Sequence, residues 1–562
     1  MKQHPLYREK VIMNDVKIRY LELLHRNFDV HLRYPVSLNE MEAILCTSRR
    51  NASKILKQLS EIGWIEWEPT VGRSNSSQLT IKKTLQQAIN ELLVNELNKG
   101  SMKLVSRLVE LYGLKAARGL TFATEHLNVD SKLINSVPVA SYPRVKTIDP
   151  VKTFRHSELH IAGNIYDVLL TRSPCGKLQP SLAHHWEMED KVMKLWLRPG
   201  VYRHDGDLLS VKDVAWSIRR LIEEDNPVQE LWQCVKRVEV LESDCLVIIL
   251  RYANKFLPYM LSVHNASIVC RDTLHFDAQY HYHIGTGPFK IENWSRDVIQ
   301  LRAHKEYFAT RALLERITLS HSKVEQKNNV NFNLSYNGAK IRNINSLSYL
   351  SYRERLSSNI SRDTWIELAN YIYQQKHLYD PIHAVEDLAL RPCNGPSSLN
   401  ERPNLNGKIV LAEPFFSVPN LKQKSEWLHN VIRSTGLELE IIPMNDINEL
   451  KSMSEDADIL FIEEVIETPF DYGLYEWLVV STGLKFSFDR YEMNQHQTKI
   501  RSALSMDAPF YELMKIEKEL RSKSIYLPLF SGYEELLNTQ HIDGEENIKT
   551  GYIDFTQLWV ET

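Results

Sequence analysis

The chain has 562 residues, 43% apolar and 25% charged, with a formal net charge of −3. That mixture excludes a disordered polymer and a polycation built wholly for nucleic acid, and the length excludes one hydrophobic core, since single cores stop growing near about 250–300 residues. The charge is uneven: residues 1–86 hold 14 Lys+Arg against 9 Asp+Glu, a net of +5, which leaves −8 for the remaining 476.

A basic head on an acidic body points to two jobs. No apolar run approaches the roughly 18–20 residues of a membrane helix, so no membrane insertion is expected. The start, Met1-Lys2-Gln3-His4-Pro5, lacks the apolar stretch of a secretory signal. The cysteines at 46, 175, 234, 245, 270 and 393 form no Cys-x-x-Cys pair, and reduced thiols in a cytoplasmic protein are expected.

Taken in chain order, the amphipathic segment Ile12–Asn27 predicts a first helix. Ser37-Leu38-Asn39-Glu40 has capping-box spacing and opens a short helix through Met41, Ile44 and Leu45. After a break at Cys46-Thr47-Ser48, apolar Ala52, Ile55, Leu56, Leu59 and Ile62 mark one stripe of a second helix. Gly63 ends it. Trp64–Glu68 and Gln78–Ile81 alternate around Val71-Gly72-Arg73-Ser74-Asn75, a hairpin with a cationic tip. Helix, tight turn, cationic helix and hairpin make a winged helix-turn-helix. A major groove admits one α-helix, whose first turn reaches base edges. Ser48, Arg49, Arg50 and Asn51 occupy that turn, Lys54 and Lys57 suit phosphates, and Arg73 on the wing suits phosphate or minor groove. A solvated charged face is the plainer alternative.

Residues 84–127 are helical in composition, as a dimerisation or relay helix or as a packed linker. From about 150, short strands and helices mix without repeats. Ser210-Val211-Lys212-Asp213 predicts a capped helix, and Gly285-Thr286-Gly287-Pro288 a tight turn into a strand at Phe289. His184-His185, His281/His283 and His156/His160 lack a metalloprotease pattern, and no hydrolase elbow or kinase signature is present. The expectation is therefore no metal, no cofactor, no catalytic residue and no enzyme.

Several stretches carry a family likeness: Leu178-Gln179-Pro180-Ser181-Leu182-Ala183-His184-His185-Trp186, Leu195-Trp196-Leu197-Arg198-Pro199-Gly200-Val201-Tyr202-Arg203-His204-Asp205-Gly206, Asp213-Val214-Ala215-Trp216-Ser217 and Ile284-Gly285-Thr286-Gly287-Pro288-Phe289. They resemble the family 5 extracellular solute-binding proteins, the peptide- and nickel-binding components of ABC importers, with Tyr202-Arg203 departing from the usual Lys-Phe. Joined to the N-terminal head, the chain resembles SgrR-type transcriptional regulators. The resemblance implies a multidomain fold: an α+β winged helix-turn-helix over 1–83, a helical linker over 84–150, and an α/β bilobed domain of the type II periplasmic-binding-protein kind over 151–562. It implies a cytoplasmic regulator that binds promoter DNA and senses a small molecule by lobe closure, with sugar phosphate, peptide and amine all open, as monomer or homodimer. A solute-binding component for peptide transport is the alternative. In the peptide binders a carboxylate pairs with the ligand's ammonium, and Glu467 falls at that position. Glu463, Glu464 and Glu467 also fit a solvated acidic loop.

Overall fold

Apolar periodicity at the N-terminus becomes a winged helix in the computed structural model, which describes residues 16–560 except 71–75, 99–101, 114, 117–118, 121–135, 141, 154, 174, 242–243, 276–279, 322–329, 333–339, 394–400, 415, 417–418, 445–449, 538–541, 544–547 and 550–551. Helix α1 (residues 16–25) buries Ile18, Leu21 and Leu24. Strand β1 (Arg33–Val36) follows, an element the alternation did not announce. Its Pro35 reads as a break, yet β1 lies at the edge of the sheet, in the order β1, β3, β2, where a missing N–H is tolerated. Helix α2 (Leu38–Ile44) has the full capping box: Glu40 N donates to Ser37 Oγ at 3.1 Å, and Ser37 N to the Glu40 carboxylate at 3.4 Å.

Cys46 takes a left-handed φ of 48° in the turn, and helix α3 (Arg49–Glu61) starts from Ser48. Ala52, Ile55, Leu56 and Leu59 are buried along it, each aliphatic one contributing about 1.5–3 kcal/mol by leaving water. Gly63 turns left-handed at φ 74°, which lets Trp64 N reach Leu59 O at 3.0 Å and close the helix end. Strands β2 (Ile65–Glu68) and β3 (Ser77–Ile81) pair antiparallel. The wing tip at 71–75, Arg73 included, lies outside the described residues.

Helices α4 (Leu85–Asn98) and α5 (Met102–Tyr112) do not stand apart. Ala88, Ile89, Leu93, Leu104 and Leu108 share one hydrophobic cluster with Leu56, Leu59 and Leu79. Trp64 Nε1 and Lys83 Nζ both donate to Glu91 on α4, at 3.1 and 2.5 Å. The boundary expected at 83/84 thus divides residues that pack together.

The described residues form two compact units. The first comprises those of Met1–Leu133 together with Tyr202–Leu209 and Arg271–Leu274; the second comprises Ile134–Val201, Ser210–Cys270 and His275–Thr562. A mixed sheet organises the second. Its strands run Phe289–Trp294, Val298–Ala303, Arg316–Ser320, Ser136–Ala140, Val330–Phe332, Tyr526–Leu537, Lys340–Tyr352, Ile459–Val465, Lys408–Pro414 and Glu438–Met444. Helix Arg362–Tyr379 buries Trp365, Leu368 and Ile372 with Ile409, Leu411 and Phe461 in the core of the second half. The first half adds a smaller antiparallel sheet of Ala183–Glu189, Val192–Leu197, Cys245–Leu250 and Val235–Val240.

The quoted motifs fix local geometry in this unit. Ser210 and Asp213 cap helix Val211–Glu223 reciprocally. Gly285 and Gly287 meet the end of helix His156–Ile165 so closely that an added Cβ would lie 2.1 and 2.7 Å from Ile165 O. Gly287 N donates to that same oxygen at 2.9 Å, and Phe289 then enters its strand. Backbone approach, rather than anion binding, explains these glycines.

Candidate DNA-binding face and acidic cluster

The buried stripe of α3 leaves Ser48, Arg49, Arg50, Asn51, Lys54 and Lys57 exposed together. Among the described residues Arg49, Arg50 and Lys54 make no side-chain hydrogen bond or ion pair, and the Ser48 hydroxyl makes no cap bond. Asn51 Nδ2 donates to Thr47 Oγ1 at 2.7 Å, and Lys57 lies 3.9 Å from Glu61. Three uncommitted cations with an open helix N-terminus present hydrogen-bond donors and positive potential together, the requirement for phosphate and base-edge contact.

In the second unit the acidic stretch is not a solvated loop. Ser346 Oγ donates to Glu463 Oε1 at 2.7 Å, and Tyr349 OH and Thr482 N donate to Glu464 at 2.6 and 2.7 Å. Glu467 meets Arg172, whose Nη2 lies 2.5 Å from its Oε2 and whose Nη1 donates to Thr468 O. The Arg172 guanidinium also lies 5.7 Å from the Tyr472 ring centroid. Tyr472 OH donates to Glu476 Oε1 at 3.0 Å. Burial, with Glu467 nearby, pushes the Glu476 carboxyl up to about 8. Burial pushes the His156 imidazole down, against the pull of Glu467.

A second buried cation, Lys424, packs against the strand Tyr526–Leu537. Lys424 is 1% exposed, with Nζ 5.1 Å from both the Phe530 and Tyr533 ring centroids. It donates to Ser531 O at 3.4 Å, and burial lowers its pKa. Neither the pairing of Arg172 nor the burial of Lys424 was legible in the sequence, because Arg172 pairs across 295 residues and Lys424 sits in an ordinary helical pattern.

Among the described residues no group of three or more His, Cys, Asp or Glu is placed to hold a metal ion, and no helix is long and apolar enough to cross a membrane. All six cysteines are free thiols. His160, from the helical histidine pair, instead shares its Nδ1 with Tyr142 OH at 2.9 Å.

A winged helix followed by a mixed-sheet, solute-binding fold defines the class. Residues 18–129 match the family described as sugar transport-related sRNA regulator, N-terminal, and residues 177–346 match bacterial extracellular solute-binding proteins, family 5, middle. The chain is similar to the HTH-type transcriptional regulator SgrR of Escherichia coli K12, 29% identical over half of each chain. It is also similar to the uncharacterized protein YhjP of Bacillus subtilis, 23% identical over 93% of this chain and 96% of that one. Among solved structures, the dipeptide-binding protein of Pseudoalteromonas sp. SM9913 in complex with Met-Leu covers 76% of this chain and all of its own at TM-score 0.63 and 13% identity. Staphylococcus aureus NikA in complex with Ni(L-His)2 gives 0.61 and 14% over the same shares. These likenesses establish the fold. The chain joins an SgrR N-terminal domain to a family 5 solute-binding domain.

Proposed function

We propose that the chain is a ligand-responsive transcriptional regulator, in which α3 binds promoter DNA and the solute-binding domain senses a small molecule. The carrying observation is the exposed set Arg49, Arg50 and Lys54 on α3, uncommitted among the described residues. The likeness of half the chain to regulators named SgrR supports it. Ser48, Asn51, Lys57 and the wing residue Arg73 complete the DNA-contacting set, and the protein works in the cytoplasm, alone or as a homodimer.

Ligand recognition falls, in this reading, to the region around Glu467. Arg172 already satisfies that carboxylate, so an amine ligand must displace the guanidinium, whereas a neutral or anionic ligand leaves the pair intact. Ligand bias toward one arrangement of the lobes then alters operator affinity, a coupling of typically about 1–3 kcal/mol.

Selection of genomic fragments by the purified full chain tests the regulator reading. Recovery of discrete fragments by the wild-type protein and none by Arg49→Ala/Arg50→Ala supports it, and equal recovery by both refutes it.

A further inference from the structure

The sequence departs from the solute-binding pattern at Tyr202-Arg203, and the structure gives that departure a place. Tyr202–Leu209 and Arg271–Leu274 are encoded inside the solute-binding sequence but belong to the first compact unit. The chain therefore passes between the units five times, at 133/134, 201/202, 209/210, 270/271 and 274/275.

Arg203 is buried and holds both excursions. Its Nε and Nη2 donate to Asp205 at 3.1 and 2.6 Å, and Nη2 also donates to Asp272 Oδ2 at 2.6 Å. The same network reaches the N-terminal elements. Asp272 Oδ1 lies 3.7 Å from His31 Nε2, in the stretch between α1 and β1. Asn90 Nδ2 on α4 donates to Asp205 O at 3.5 Å, and Gln86 Nε2 to Asn90 Oδ1 at 2.8 Å. A buried guanidinium satisfied by two carboxylates from two segments cannot slip without leaving a charge uncompensated.

The excursions are short and start from fixed points. Val201 is buried just before the first, and Ser210 caps a helix just after it. Cys270, whose N donates to Ile284 O at 2.9 Å, is buried just before the second. Eight and four residues tied to such points follow any displacement of them.

We propose that Arg203 is a positioning residue through which the solute-binding sequence grips the DNA-binding unit, so that the two units change state together. The functional meaning of the grip rests on the regulator reading above, whereas its physical existence does not.

Scanning calorimetry of the full chain separates the two, because it needs neither DNA nor ligand. The wild-type protein should unfold in one transition with matching calorimetric and van't Hoff enthalpies. Arg203→Met should split this into two resolved transitions; a merely structural role lowers the midpoint without splitting it. Asp272→Asn, which spares the Arg203–Asp205 contact, provides the same readout should Arg203→Met fail to fold. Two transitions in the wild-type protein, or one in a folded Arg203→Met or Asp272→Asn variant, would overturn the proposal.

Discussion

Arg172 Nη2 lies 2.5 Å from Glu467 Oε2, joining residues that are 295 positions apart. The pair ties the hairpin of Leu170–Arg172 and Leu178–Pro180 to the segment leaving the strand Ile459–Val465. Arg172 and Glu467 side chains are only 10% and 21% exposed, so neither is well solvated if left alone. Arg172→Ala should destabilise by about 3–5 kcal/mol, the cost of orphaning a buried charge. The double variant Arg172→Leu/Glu467→Leu should recover most of that. Urea melts of the two variants and the wild-type protein check both statements.

Glu476 gives that cluster a pH dependence of definite sign. Burial and the neighbouring Glu467 push its folded carboxyl up to about 8, well above an ordinary glutamic acid. The folded state therefore holds a proton that the unfolded state has lost, and stability falls as pH rises through the interval between the two values, with a slope of at most about 1.4 kcal/mol per pH unit. Glu476→Gln should remove this component. Thermal midpoints of the two proteins should therefore diverge from pH 6 to pH 9, the variant holding its midpoint better.

Lys376 behaves in the opposite sense. Burial pushes its amine down to about 7, and Nζ donates to Val385 O and Pro528 O at 2.6 Å each. Here the unfolded state holds the extra proton, so this group contributes stability that grows as pH rises from about 7 toward the ordinary lysine value. Lys376→Met should lose that rise and strand two buried carbonyls, at about 1–3 kcal/mol each. Chemical denaturation at pH 7 and pH 9 measures both effects.

The α2–α3 region was legible because its chemistry is local. One buried stripe, a capping box and a glycine at the helix end recur at fixed spacing, and α3 buries Ala52, Ile55, Leu56 and Leu59 accordingly. Strand β1 was hidden by Pro35, which only an edge position accommodates. The helical stretch after residue 84 displayed an apolar face, but periodicity says that a face is buried and not what buries it. For α4 the answer is the winged helix itself, through Ala88, Ile89 and the Trp64–Glu91 hydrogen bond. In the second unit the motifs marked turns and caps correctly, whereas the Arg172–Glu467 pair depends on topology that no local pattern encodes. The departure at Arg203 was visible as a mismatch, and its meaning needed Asp272, 69 residues away.

Removing the capping hydroxyl at Ser37 should be a small, local lesion. Ser37→Ala loses the bond from Glu40 N, at about 1 kcal/mol, and α2 should fray without loss of the α3 face. Amide exchange should accelerate in the first turn of α2 and stay unchanged in α3.

The most direct test of the central claim is a salt series of binding to the chain's own upstream DNA, comparing the wild-type protein with Arg49→Ala/Arg50→Ala and with Lys54→Ala. These side chains are exposed, so the variants should keep wild-type stability within about 0.5 kcal/mol. The wild-type affinity should fall linearly with salt on logarithmic axes. The double variant should lose discrimination between the upstream region and unrelated DNA, and Lys54→Ala should lower the salt slope by about 1. Wild-type affinity and slope in both folded variants would contradict the assignment of α3 as the DNA-binding face.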